Sequence, residues 1–394
     1  MIPKGFRFAG VRCGIKNRRN DMGLIICDAE YPAAGVFTTN QFRASCVDFS
    51  RTALLGGVLR GLVVNSGNAN CATGEQGAKD TVRMAQLVSE SVGIDGPIAV
   101  ASTGVIGHHL DMQKVEKGIL DASKNLSTDP KPFIEAILTT DLVEKWAGAS
   151  WGSDELSTPK NPIELTGEAF VYGVCKGSGM ISPNMATMLG YVVTDLDLSH
   201  LDIQSVLRQA NAVSFNCMTV DSDTSTNDMV ILIASGLSGI APSEAEAVKI
   251  ISRVCTELAK QVAKDGEGAT KLIEVRVTGT ENPAQVARSI ADSPLVKTAM
   301  FGCDPNWGRV IMATGKSGVP LDVSKAVLHF EIGEERYMLF ENGEPARFDP
   351  AKVSTALKAD HVIIDLNLGE GETSTIYTCD FGYGYVRINA EYHT

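Results

Sequence analysis

The stretch that most constrains this chain is Lys176-Gly-Ser-Gly-Met-Ile-Ser-Pro-Asn-Met-Ala-Thr187-Met-Leu-Gly190. An apolar, β-branched run, Ala169-Phe-Val-Tyr-Gly-Val-Cys175, precedes it, and a second run, Thr187-Met-Leu-Gly-Tyr-Val-Val193, leaves it. Two buried strands joined by turn chemistry are therefore predicted. Gly177 and Gly179, followed by Ser182-Pro183-Asn184, open backbone angles that ordinary residues resist. A strained Ala186-Thr187 peptide at this place offers its carbonyl to the Thr187 hydroxyl, and cleavage would leave Thr187 as a new N-terminus. Nucleophile and base then share one residue. An α-amino group titrates near pH ~8 and can take the hydroxyl proton without a histidine.

At 394 residues the chain exceeds one simple core and predicts two domains, at roughly 100 to 200 residues each. A net charge of -12 argues against nucleic acid or an anionic membrane as partner. Nine scattered cysteines without a Cys-x-x-Cys pair favour reduced, buried thiols and a cytoplasmic setting over disulfides or a zinc site. No apolar run reaches the roughly 18 residues of a membrane helix. The basic N-terminal twenty residues lack the apolar core of a secretion signal and are taken as mature protein.

Short strands punctuated by Gly, Pro and Asn are predicted between Met22 and Asn65, with a helix after Gly74 whose buried face is Ala78, Val82, Ala85 and Val88. Strand, turn and helix alternate again from Pro97 to a helix near Asp111, so the class is α/β. From Asp141 to Ile163 glycines, serines and prolines break the apolar pattern, and a surface excursion is expected. Helices are predicted near Ser199 to Val213 and Pro283 to Ile290. Ser243 with Glu246 gives a capping box for a longer helix that buries Val248, Ile251, Cys255, Leu258 and Val262. Strands are predicted at Met229 to Ile233 and Leu272 to Val277, then a mostly β lobe from Ala326 with a helix near Ala351.

Several tempting motifs fail on spacing. Gly177-Ser-Gly179 lacks the third glycine of a dinucleotide fingerprint, and Gly315-Lys316-Ser317 has Val310 where a phosphate loop needs glycine. Asp221, Asp223 and Ser225 begin like a calcium loop but lack its central glycine and final glutamate. None of the six histidines has metal-ligand spacing. No metal and no tightly held organic cofactor is expected.

Along nearly its whole length the chain resembles the ornithine acetyltransferase (glutamate N-acetyltransferase, ArgJ) family of arginine biosynthesis. Besides the glycine-rich stretch, the resemblance rests on ordered blocks: Pro3 to Phe6, Gly35 to Thr39, Asn65 to Asn70, Ser102 to Gly107, Asp221 to Asp228, Asp265 to Lys271, Asn306 to Arg309 and Tyr385 to Thr394. It implies an α/β self-processing fold of N-terminal-nucleophile-like, layered type. Cleavage between Ala186 and Thr187 would give an alpha chain of residues 1–186 and a beta chain of residues 187–394. The latter completes the catalytic domain and carries a smaller C-terminal lobe from about residue 280. Two alpha and two beta chains would form a heterotetramer.

The same resemblance makes Thr187 the nucleophile and Thr103 with Gly104 the oxyanion hole. It makes Thr139, Thr140, Lys176, Thr187, Glu267, Asn389 and Thr394 substrate contacts, with Asp141 beside them. The implied reaction moves an acetyl group from N2-acetylornithine to glutamate through acetyl-Thr187, with acetyl-CoA as a second candidate donor. Ser182, His393, Gly382 and Gly384 depart from the family pattern. Two rival readings are a self-processing amidohydrolase or aminopeptidase, with water as acceptor, and a non-enzymatic amino-acid-binding module in which Thr187 never becomes a terminus.

Overall fold

The computed structural model describes residues 2–182 and 188–391, so Ala186, Thr187 and Thr394 lie outside the described residues. The chain is α/β and divides into two compact units, Met1–Asn216 with Thr224–Leu258, and Cys217–Asp223 with Ala259–His393. The second unit takes up the chain at Ala259, ahead of the start near residue 280 expected for a C-terminal lobe.

The strands of the first unit are β1 (Phe6–Val11), β2 (Met22–Phe37), β3 (Val58–Asn68), β4 (Ile98–Val105), β5 (Lys145–Ser150), β6 (Leu156–Ser157), β7 (Phe170–Lys176), β8 (Leu189–Thr194) and β9 (Met229–Ala234). They lie in the order β4-β3-β2-β9-β8-β7-β5-β6, with β1 on β2. At 16 residues β2 is long enough to serve two ladders. Its start pairs with β1 and β3, and after an irregularity between Ile26 and Tyr31 its end pairs with β9. The two strands flanking the glycine-rich turn are both present, as expected. β7 and β8 pair antiparallel from Val171↔Thr194 to Lys176↔Leu189, and every residue of β8 is buried.

The helices are α1 (Ser45–Ala53), α2 (Gly74–Val92), α3 (Met112–Lys124), α4 (Lys131–Ile137), α5 (Ile203–Ala212) and α6 (Glu244–Lys264). α3 and α4 cover β1 and β2, while α2 lies against α3 and β4. The capping box holds: Ser243 N–H donates to Glu246 Oε2 at 2.9 Å, and Glu246 N–H donates to Ser243 Oγ at 3.4 Å. Ile251, Cys255, Leu258 and Val262 are buried as expected.

Two expectations are corrected. α2 buries Ala85 and Val88 as expected, but Ala78 is exposed and Val82 is 42% exposed, while Gly77, Thr81 and Met84 are buried instead. The helix is rotated because the small and polar residues Gly77 and Thr81 face inward to meet Ser45 and Asn70. The excursion after Asp141 is not all surface, since Lys145–Ser150 forms β5 beside β7, with Ala147 and Ala149 wholly buried. Trp146 stacks on Tyr172, ring centroids 6.0 Å apart.

The second unit carries β10 (Leu272–Thr278), β11 (Val327–Ile332), β12 (Glu335–Glu341), β13 (Glu344–Pro345), β14 (His361–Asn367) and β15 (Thr373–Cys379) in the order β13-β12-β11-β14-β10-β15. Helices α7 (Pro283–Ala291) and α10 (Pro350–Ala356) are present as expected, and α8 (Pro294–Phe301), α9 (Trp307–Gly315) and α11 (Tyr383–Glu391) make the unit more helical than the sequence pattern suggests. α8 and α9 escape periodicity because they are short. Their starts are nevertheless marked by Ser293 and Asn306, whose side chains accept from Val296 and Arg309 N–H. The Asn306 to Arg309 block is thus a helix start, and Arg309 Nη1 donates to Leu295 O at 2.8 Å.

Candidate active site

In the first unit the site residues stand where β4 and β7 end. β3 and β4 run parallel, bringing Ser66 opposite Thr103 and Gly67 opposite Gly104, before the register breaks at Asn68. Asparagines fasten this break. Asn65 Nδ2 donates to Asn68 O at 2.8 Å, and Asn227 Nδ2 donates to Ala69 O at 2.7 Å and Ser102 O at 2.9 Å. Gly104 has φ +132°, and a Cβ there would lie 2.3 Å from the Gly67 carbonyl carbon. Only glycine fits such a close backbone approach.

Thr103 is 8% exposed, and its Oγ1 accepts from Lys176 Nζ at 3.2 Å. Accepting from the ammonium leaves the Thr103 hydroxyl proton free to be donated elsewhere. Lys176 ends β7 and is half-buried rather than a solvated surface charge.

Asp141 is the hub of this region. Its Oδ1 accepts from Lys145 Nζ at 2.7 Å and from Gly177 N–H at 2.7 Å, while Oδ2 accepts from Thr139 N–H at 2.9 Å. Both charged side chains of the pair are 0% exposed. Burial pushes the Asp141 carboxyl up, but Lys145, Lys176 and these hydrogen bonds outweigh it and hold it well below the ordinary carboxylate range. Beside Thr139 and Thr140, the Asp141 carboxylate fixes Thr139 and the first residue of the glycine-rich turn. Thr139 and Thr140 themselves are half-buried.

Asp228, just before β9, is not singled out by its sequence pattern. Its carboxyl is buried, with Oδ2 lacking a hydrogen-bond partner. Burial pushes it far above the usual range, with Ser225 and Lys176 opposing.

In the second unit Glu267, 9% exposed, accepts from Asn389 Nδ2 at 2.8 Å. Gly384 permits this geometry, since a Cβ there would lie 2.9 Å from Gly268 Cα. Gly268 has φ +70°, and a Cβ there would come 2.3 Å from Tyr385 N, so α11 begins directly against the Asp265–Gly268 turn. Asn389 Nδ2 also donates to Tyr385 O at 3.1 Å, and Tyr385 OH donates to Asp221 Oδ2 at 3.4 Å.

Thr103, Gly104 and Lys176 thus come together, as do Glu267 and Asn389, whereas Ala186, Thr187 and Thr394 fall outside the described residues. Among the described residues no group of three His, Cys, Asp or Glu side chains is placed to hold a metal ion. No helix among them is long and apolar enough to cross a membrane.

The class follows from comparison with known proteins: the relatives it matches along its whole length are bifunctional proteins of arginine biosynthesis. It is 43% identical over 409 aligned positions to the arginine biosynthesis bifunctional protein ArgJ of Thermotoga neapolitana, covering 100% of both chains. With the protein of the same name from Bacillus cereus it shares 42% identity, covering 100% of this chain and 96% of the relative. Among solved structures it is similar to the ornithine acetyltransferase of Mycobacterium tuberculosis complexed with ornithine, at 35% identity and TM-score 0.41, covering 47% of this chain and 94% of the other. The ArgJ family profile matches residues 7–394, and the chain belongs to the ArgJ family.

Proposed function

We propose that the chain cuts itself between Ala186 and Thr187 and then moves an acetyl group from N2-acetylornithine to glutamate. In the first event Thr187 Oγ attacks the Ala186 carbonyl carbon, the peptide C–N bond breaks, and water hydrolyses the resulting ester. The freed α-amino group then serves as base. It takes the proton of Thr187 Oγ as that oxygen attacks the acetyl carbonyl of N2-acetylornithine, and it returns the proton to the leaving amine as ornithine departs. The amino group of glutamate attacks acetyl-Thr187, the ester C–O bond breaks, and the proton returns to Thr187.

The observation that carries this reading is the Thr103–Gly104 kink fixed beneath Lys176. Thr103 O–H and Gly104 N–H are the two donors for the developing oxyanion. Lys176 supplies a cation for the amino-acid carboxylate. Glu267, oriented by Asn389, is the anion for the ornithine side-chain ammonium, and Thr139, Thr140 and Thr394 complete the substrate contacts. The chemistry needs no metal and no organic cofactor, with acetyl-CoA as an alternative donor. The working assembly is two alpha and two beta chains, and the nine cysteines, all free thiols, fit a cytoplasmic setting.

Incubation with N2-acetylornithine, with and without glutamate, tests the acceptor. N-acetylglutamate is expected in step with ornithine release. Acetate release at the same rate without glutamate would instead make the protein an amidohydrolase.

A further inference from the structure

Lys16 lies in a segment that no motif marks. The buried Asp21 carboxylate gathers the loop before β2: Cys13 N–H donates to Oδ1 at 2.6 Å, and Gly14 and Lys16 N–H donate to Oδ2 at 3.0 and 2.8 Å. This fixes the Lys16 backbone. Its stem then crosses Gly67, the residue paired with Gly104. A Cβ on Gly67 would lie 2.8 Å from Lys16 Cγ, and Gly67 has φ +103°. The ammonium arrives at Leu138 O, to which Nζ donates at 2.6 Å, one residue before Thr139. Lys16 therefore reaches from the strand pair that carries the oxyanion donors to the turn that carries Thr139 and Thr140.

Its charge is poorly matched there. The charged groups facing it are Asp21, Arg19, Asp141 and Lys176, and burial pushes Lys16 down to about 8, with the two acids opposing and the two cations reinforcing. Neither acid pairs with it, because Asp21 is taken up by three backbone N–H groups and Asp141 by Lys145, Gly177 and Thr139. An ammonium has three hydrogens to donate, and the carbonyl of Leu138 takes one. Two half-buried lysines on one side of a site favour an incoming anion over a neutral group.

We propose that Lys16 is a specificity residue for the acceptor: it binds the side-chain carboxylate of glutamate, while Lys176 holds the carboxylate shared by donor and acceptor. The proposal rests on the acetyl-transfer reading above. The two substrates have the same amino-acid head group and opposite side-chain charges, so one site must offer an anion to ornithine and a cation to glutamate. Lys16 supplies the cation for glutamate.

The test compares glutamate with glutamine, its neutral isostere, as acceptor from preformed acetyl-enzyme in the full-length protein. A lost charge-assisted bond predicts that Lys16→Met lowers kcat/KM for glutamate roughly 10- to 100-fold. Transfer to glutamine and formation of acetyl-enzyme from N2-acetylornithine are preserved, and Lys16→Arg restores the preference for glutamate. Equal losses with glutamate and glutamine, or slowed acetyl-enzyme formation, would overturn the assignment and leave Lys16 a structural residue. If wild type itself forms no acetyl-enzyme, the acetyl-transfer reading fails rather than the role of Lys16. Should Lys16→Met not fold, the Arg variant decides: an unchanged preference agrees with a cation at this position, and a lost one contradicts it.

Discussion

Thr187→Ala is expected to remain one unbroken chain of 394 residues and to transfer no acetyl group. Alanine removes the hydroxyl proposed to attack the Ala186 carbonyl, so no ester forms and no α-amino group is released. Both nucleophile and base are then missing, and the loss in turnover should be about three orders of magnitude or more. Thr187→Ser keeps the hydroxyl and should still cleave. Intact mass under denaturing conditions, with N-terminal sequencing, reads the result directly. Under native conditions the wild-type pieces should stay together, because β7 and β8 stand on opposite sides of the cut and pair from Val171↔Thr194 to Lys176↔Leu189. A Thr187→Ala protein that still divides at this bond would place the cleavage chemistry elsewhere.

Asp141→Asn is expected to destabilise the fold by about 3–5 kcal/mol, since it leaves the wholly buried Lys145 charge without its partner. The pH dependence follows from the same carboxylate. The folded protein keeps Asp141 ionised to lower pH than the unfolded chain does, so its stabilisation is complete above the ordinary carboxylate range and drains away as pH falls through and below it. Every tenfold by which folding strengthens this acid is worth about 1.4 kcal/mol of that stabilisation. Urea denaturation between pH 3 and pH 7 should therefore show a steeper acid loss in wild type than in Asp141→Asn. A double variant that also carries Lys145→Met should recover much of the lost stability, because it removes the orphaned charge. If Asp141→Asn were as stable as wild type at pH 7, the buried pair would not be the anchor of the glycine-rich turn.

The parts of the fold that can be read from sequence are those where local chemistry and burial agree. β7 and β8 announce themselves by β-branched residues, and α6 by its capping box and evenly spaced apolar face. β5 does not, because Ala147, Gly148, Ala149 and Ser150 bury almost no apolar bulk and resemble a loop. The buried face of α2 is legible at Ala85 and Val88 but not in its first turns, because Gly77 and Thr81 carry no hydrophobic signal although they meet Asn70 inside.

The site is legible only in part. Thr187, Lys176 and Glu267 stand in recognisable blocks, but the partners that position them are distant in sequence. Lys176 meets Thr103 across 73 positions, and Asn389 meets Glu267 across 122. Asp141 stands beside two threonines in sequence, but its pairing with Lys145 and its full burial are visible only in the fold. Lys16 and Asp21 form a local loop whose meaning depends on Gly67 and Leu138, and nothing within the loop itself signals them.

The central claim, an acetyl group carried on Thr187, is tested most directly by trapping it. Purified, self-cleaved protein is mixed with N2-acetylornithine in the absence of glutamate, quenched in acid, and the intact mass of the fragment beginning at Thr187 is measured. The account predicts that this fragment gains the mass of one acetyl group, that fragmentation places it on Thr187, and that adding glutamate before the quench removes it. A fragment that keeps its unmodified mass while ornithine is released in the presence of glutamate would show direct transfer between substrates and contradict the covalent mechanism.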